Sequence, residues 1–228
     1  MILQKAFGIG LCAIALTGAA QTQPWMQSFP VEAKTLASQG ENPYFVLKPG
    51  YQLKYQDKEA VPGTLVITVL NETKNVGGVE ARVVEERETA KGKLIEISRN
   101  YFAINPANGD VYYFGEDVDM YKEGKVINHE GSWLHGANGA RFGLMMPGKP
   151  SIGMRFYNEL AKGVAMDRSE VVSLTDTLKT PAGTFDKCLK TRETTPLERL
   201  AREYKIYAPG VGLVKDGDME LVSHAFVR

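Results

Sequence analysis

The sequence predicts an all-β protein: a single curved antiparallel sheet or half-barrel meander, with one long glycine-rich loop and little helix. Apolar and polar residues alternate over several segments from Tyr51 onward, the period of a strand. Turn signals recur at Asn75-Val76-Gly77-Gly78, Lys91-Gly92, Asn108-Gly109-Asp110 and Glu123-Gly124, a spacing suited to hairpins. Strands joined by such short turns argue a meander and not alternating βαβ units.

Taken in order, Met1 to Ala20 read as a secretory signal peptide. A lysine at position 5 precedes the apolar run Ala6 to Leu16, and small residues Thr17-Gly18-Ala19-Ala20 close it. The run is too short to span a bilayer, and no later run approaches that length. The expected mature chain starts beside Ala20, carries no transmembrane anchor, and is periplasmic or secreted and soluble. Residues 21–50 read as irregular, broken by Pro24, Pro30, Pro43 and Pro49, with one short helix at Val31 to Ser38. Residues 51–228 read as one antiparallel β domain.

Within that domain, Tyr51, Leu53 and Tyr55 alternate with polar residues, and Leu65, Ile67 and Val69 share one side of the next strand. Val79, Ala81 and Val83 alternate until Val84 breaks the register, which predicts a bulge there. Lys93 to Ile104 and Val111 to Tyr121 follow as strands. Between Gly131 and Gly153 the pattern stops. Gly136, Gly139, Gly143, Gly148, Pro147 and Pro150 predict a long loop, yet it carries Trp133, Leu134, Phe142, Leu144, Met145 and Met146. Solvated linkers lack so many large apolar groups, so this loop is expected to fold over the sheet as a flap. Strands resume at Met154 to Leu160 and Ala165 to Thr180, the latter with Val172, Leu174 and Leu178 on one face. Lys187 to Thr195, Glu203 to Ala208, Leu213 to Lys215 and Glu220 to Val227 complete the set.

Twenty-seven Lys plus Arg balance 27 Asp plus Glu. That balance argues against nucleic acid as a partner, since a binder shows a clustered basic surplus. Cys12 leaves with the signal peptide, so Cys188 has no intrachain partner and reads as a half-buried strand residue.

Thr180-Pro181-Ala182-Gly183-Thr184-Phe185, then Cys188-Leu189, then Tyr204 to Val214 (YKIYAPGVGLV) resemble a motif of exported bacterial β-sheet proteins of the lipoprotein-carrier-like half-barrel type. The middle, from Asn100-Tyr101-Phe102 through Gly131-Ser132-Trp133-Leu134, is similar to one uncharacterised group of that kind. The resemblance implies an open, curved antiparallel sheet and carries over no catalytic residues to this chain.

Three kinds of site can be drawn from the residues. A concave sheet under an apolar flap would hold a lipid or other apolar or amphipathic molecule, lined by Trp133, Leu134, Phe142, Met145, Met146, Tyr112 and Phe114. This makes a non-catalytic binding or carrier protein without cofactor the leading expectation. The second centres on His129, Glu130 and His135, which with the thioethers of Met145 and Met146 would suit copper or zinc, or a hydrolase. Against it, the spacing is not HExxH, and His129 also reads as a strand end and His135 as a solvated loop residue. The third is an envelope-interaction module that recruits a partner by strand addition. In the acidic group Glu116, Asp117 and Asp119, the two aspartates share a strand face; paired carboxylates suit calcium or acid–base chemistry, but no EF-hand spacing is present and the group reads as a solvated face. No G-x-S-x-G elbow is present, and Gly210-Val211-Gly212 lacks the third glycine of a dinucleotide loop. The oligomeric state is left open.

Overall fold

A computed structural model of the chain describes residues 23–227. The expected signal peptide, its cleavage point and Cys12 lie outside them. The first described elements are a single 3-10 turn, Ala33–Thr35, and the strands β1 (Gly40–Asn42), β2 (Phe45–Leu47), β3 (Tyr51–Gln56) and β4 (Thr64–Val76). Next come β5 (Val79–Ala90), β6 (Lys93–Ile104), β7 (Val111–Lys122), β8 (Lys125–Asn128), β9 (Trp133–Leu134) and β10 (Arg141–Met146). The rest is β11 (Arg155–Tyr157), β12 (Glu159–Leu160), β13 (Arg168–Thr180), β14 (Gly183–Thr194), β15 (Glu203–Ala208), β16 (Gly212–Asp216) and β17 (Met219–Phe226).

The all-β expectation holds. β1 and β2 form a separate hairpin, and the other strands make one 15-stranded sheet that curls into a nearly closed barrel. Its order is β11-β13-β14-β15-β16-β17-β3-β4-β5-β6-β7-β10-β12, with β8 and β9 added on β7. Every strand pairing within it is antiparallel, and β17 returns to pair with β3. The two margins meet at Arg155–Leu160: β11 pairs with β13 on one margin and β12 with β10 on the other. Asn158 sits between these strands and is buried. Its side-chain amide donates to the Leu144 carbonyl (3.1 Å), while its side-chain oxygen accepts the Ser169 hydroxyl (2.9 Å). Gly143 on β10 is required at this seam, because a Cβ there would overlap the carbonyl oxygens of Tyr157 and Asn158.

Both faces of the central strands are buried, so each strand alternates between two cores. On the inner face Leu53, Tyr55, Val69, Val84, Phe102, Tyr113, Leu189, Tyr207 and Val214 pack together. On the outer face Val79, Ala81, Val83, Tyr101, Tyr112, Phe114, Phe156 and Val171 form a second cluster, covered by Phe29, Val31 and Leu36 of the N-terminal segment.

Several expectations are corrected. Residues 21–50 are not irregular throughout: Met26 bridges to Phe156, and Gly40–Leu47 forms a hairpin. The helix expected at Val31 to Ser38 is reduced to one turn, because Val31 and Leu36 lie along the outer core on mostly extended backbone. Val84 is not bulged. Val83 and Val84 point to opposite buried faces in unbroken register with β6, and the irregularity lies on β4 between Val69 and Thr73. There the buried Arg82 guanidinium donates to the carbonyls of Leu70 (3.4 Å) and Glu72 (3.3 Å) and to that of Ser38 (2.9 Å). Likewise a register shift between Val171 and Ser173 puts Val171, not Val172, in the core. Met154 to Leu160 is two short strands divided at Asn158, and Cys188 is fully rather than half buried.

The largest correction concerns Gly131 to Gly153. This stretch is not a flap. β9 and β10 pair with β7 and are part of the wall. Gly115 makes room for β9, since a Cβ on it (φ +142°) would lie 2.5 Å from the Trp133 carbonyl oxygen. The element folded over the barrel mouth is instead the β1–β2 hairpin, with Phe45 and Val46 packed on the inner core. Asn42 fastens it by donating to the Gly109 (2.7 Å) and Pro147 (3.2 Å) carbonyls, and Gly210 N–H donates to Pro43 (2.8 Å).

Candidate functional site

The barrel interior divides along its axis. Near the hairpin it is apolar. Phe45, Val46, Leu53, Ile67, Val69, Phe102, Met145, Val211 and Leu213 enclose a cavity of about 70 Å³, with Tyr51, Val84, Glu86, Gly212 and Tyr207 completing the lining. Tyr51 Oη donates to the Val211 carbonyl (2.9 Å) and Tyr55 Oη to that of Leu213 (2.8 Å), so these phenols tie β3 to β16 at the cavity edge. Glu86 is the single carboxyl in the lining. A cleft of about 490 Å³ lies on the other side of the hairpin and shares Val46 and Tyr51 with the cavity.

Beyond Glu86 the interior turns acidic. The inward positions of β5 carry Glu86 and Glu88 after Val84, and β6 carries Glu96, Ser98 and Asn100 before Phe102. Glu116 on β7, Glu193 on β14, Lys205 on β15 and Asp216 on β16 face the same space. Glu86 feels Lys205 and Asp216, which belong to strands that are not its ladder neighbours, so the charges meet across the lumen. Lys205 Nζ lies 3.2 Å from Glu193 and 3.6 Å from Asp216.

Burial dominates the titration of these groups, because removing a carboxylate from water disfavours its charged form. Glu86 is pushed up to about 8 by desolvation, partly offset by Lys205 and reinforced by Asp216, Glu116 and Glu96. Glu116 is pushed up to about 7, again by burial, with Tyr113 and Trp133 leaning toward the charged form. Burial also raises Glu159 and Glu193. For Lys205 burial acts downward, but Glu193, Asp216 and their neighbours outweigh it and hold the ammonium charged. Two buried polar atoms aimed inward lack a hydrogen-bond partner among the described residues: Trp133 Nε1, which points toward Glu116 from outside bonding geometry, and Thr191 Oγ1.

The structure distributes the expected lining residues over both faces of the sheet. Trp133, Met145 and Met146 are inside: Trp133 packs edge-on to Tyr113 with centroids 5.2 Å apart, and Met145 borders the cavity. Tyr112, Phe114, Leu134 and Phe142 are outside, in the second core, where Phe114 stacks on Phe142 at 4.9 Å. They therefore do not form one pocket. The expected metal ligands do not converge either. His129 pairs with Asp119 (3.0 Å) on the outer surface, and Glu130 is exposed. His135 lies between Phe114 and Phe142, its Nδ1 accepting the Phe142 amide (3.3 Å), and desolvation lowers its pKa. Met145 and Met146 are on the opposite face of β10. Among the described residues no three His, Cys, Asp or Glu side chains are placed to hold a metal ion.

Asp117 and Asp119 do take the outer face. Asp117 accepts from Lys74 (2.6 Å) and Tyr101 (2.5 Å), and Asp119 from Arg99 (3.3 Å). Of the inner carboxylates, sequence reasoning singled out only Glu116, and as part of a solvated acidic group. The signal was there in the parity of Val84, Glu86 and Glu88, and of Leu189, Thr191 and Glu193, which continues an apolar inner row into acidic positions.

A scan against protein-family models, a search of curated proteins and a search of solved structures each returned no match.

Proposed function

We propose that this chain is an exported, non-catalytic binding or carrier protein whose lumen takes a small amphipathic molecule. The observation that supports it best is the cavity beneath the β1–β2 hairpin, apolar on its walls with one carboxyl, Glu86, at its inner end. An apolar body would lie against Phe45, Leu53, Ile67 and Phe102. A polar end that donates or accepts a hydrogen bond would meet Glu86. The space is about 70 Å³, whereas pockets for drug-sized ligands measure roughly 300–1,000 Å³. Uptake of anything larger than a few water molecules therefore requires the hairpin to swing outward and join the cavity to the cleft beyond Val46 and Tyr51.

Native mass spectrometry of freshly purified protein, followed by titration with a solvatochromic dye and a panel of fatty acids and long-chain amines, tests this reading. Binding of at least one member is expected, weakened about tenfold or more by Val46→Trp, which fills the space shared by cavity and cleft. Absence of binding across the panel, or binding indifferent to Val46→Trp, defeats the carrier reading.

A further inference from the structure

On the outside of the barrel, where β11, β13 and β14 lie side by side, Arg155, Arg168, Arg192, Arg199 and Arg202 line a groove of about 440 Å³ together with Trp25, Thr194, Thr195 and Pro196. This is an unusual concentration of charge in a chain whose formal net charge is zero. The Arg155 and Arg168 guanidinium carbons lie 4.5 and 4.4 Å from the Trp25 ring centroid. Arg168 also donates to the Thr194 hydroxyl (3.2 Å) and to Tyr157 Oη (3.3 Å), which fixes its plane without neutralising it. Arg155 and Arg192 share one carboxylate, that of Glu170, at 3.2 and 2.5 Å. Arg168, Arg199 and Arg202 have no ion-pair partner among the described residues. Five guanidinium groups thus line one groove: Arg155 and Arg192 share a carboxylate, Arg202 also borders the recess of Asp167, Glu193 and Glu203, and Arg168 and Arg199 are left to the groove.

Arginine suits one class of anion above others. Its planar fork donates two parallel N–H groups to the oxygens of phosphate or carboxylate, and its weak hydration makes partial burial tolerable. The loop that carries Arg199 and Arg202, residues 195–202, adds a second and independent feature. Leu197 is 51% exposed and Leu200 93% exposed, set beside Arg199 and Arg202 with one exposed carboxylate, Glu198, between them. Bare leucines beside a phosphate-seeking groove are poorly matched to water and well matched to the boundary between lipid headgroups and acyl chains, where apolar side chains sink while cationic ones engage phosphates.

We propose that this groove and its leucine rim dock the protein on an anionic phospholipid surface, with headgroup phosphates held by Arg168, Arg199 and Arg202 and with Leu197 and Leu200 inserted at the interface. The docking face is on the outer wall and does not depend on whether the lumen binds anything.

The test is co-sedimentation of the purified protein with vesicles of phosphatidylcholine alone or mixed with phosphatidylglycerol, beside a calorimetric titration with inorganic pyrophosphate. Partition onto the anionic vesicles is expected to exceed that onto neutral ones by about tenfold or more at low salt, and to fall as salt is raised. R199Q/R202Q should lose most of that partition. L197S/L200S should weaken vesicle binding while leaving pyrophosphate affinity unchanged. All four positions are in an exposed loop, and an unchanged circular-dichroism melt verifies that each variant is folded. Equal partition onto both vesicle types overturns the proposal. So does vesicle binding indifferent to R199Q/R202Q, or pyrophosphate binding without vesicle binding.

Discussion

The two faces of the curled sheet are built on different terms. Outside, Tyr112, Phe114 and Phe142 stack with Phe29, and the one titratable group set among these rings is the His135 imidazole. Inside, the same strands present an incompletely filled apolar chamber and then a belt of carboxyl groups around one lysine. A dry, close-packed layer is where a domain gains stability. Raised carboxyl pKa values and unpaired polar atoms lower stability, and they concentrate where a protein does something else. The outer face therefore holds the wall together, and the inner face carries the groups that titrate.

That contrast can be broken by mutation. Phe114→Ala removes a fully buried ring from the outer layer and should cost about 3–5 kcal/mol in urea unfolding. The loss should be the same at pH 7 and pH 9, a range across which Glu86 titrates while His135, which packs on that ring and is held below its usual pKa, stays neutral. A strongly pH-dependent loss would mean the faces are not separate.

Glu86 gives the opposite signature. Its ordinary pKa is 4.5 and its folded value is about 8. The folded state therefore keeps a proton that the unfolded chain releases, and this contribution is complete below about pH 4.5 and lost as pH rises to about 8. Glu116, raised to about 7, acts in the same direction. Lys205, held above its usual value, loses its contribution only at higher pH. Thermal melts should thus show lower stability at pH 8 than at pH 5. Glu86→Gln should recover roughly 1–3 kcal/mol at pH 8 and little at pH 5. Equal stability at both pH values would remove the carboxyl belt from the account.

The smallest effect is expected on the solvated part of β7 and β8. Asp119→Asn breaks contacts to Arg99 and His129 on a partly exposed surface and should change stability by under about 0.5 kcal/mol. A larger loss would show that the β7–β8 hairpin is part of the outer core and not an appendage.

Much of the wall was legible in the sequence. Lys91-Gly92 and Glu123-Gly124 make hairpins because both residues in each pair take positive φ, and Asn108-Gly109 joins β6 to β7 through Gly109. The row Leu65-Ile67-Val69 does face the inner core. The misreadings have physical causes. Glycines at 136, 139 and 143 suggest a loop, but Gly143 is in a strand because a neighbouring backbone needs the space of its missing side chain. Alternation separates two faces without saying which one faces water. A period of apolar and acidic residues normally means a wet outer side, and in β5 and β14 it means a lumen. The hairpin Gly40–Leu47 is only three residues per strand, too short to register as a period. The arginine groove escaped because its members come from positions 155 to 202 and meet only when the sheet curls.

The pairing of β17 with β3 sets an order of events during synthesis. Residues 51 to 56 leave the ribosome long before residues 219 to 226, yet each supplies the other's missing ladder partner. Until β17 arrives, β3 carries an unsatisfied row of amides and carbonyls, open to any extended segment that drifts past. Docking of residues 219–226 on β3 is therefore the event that seals this edge.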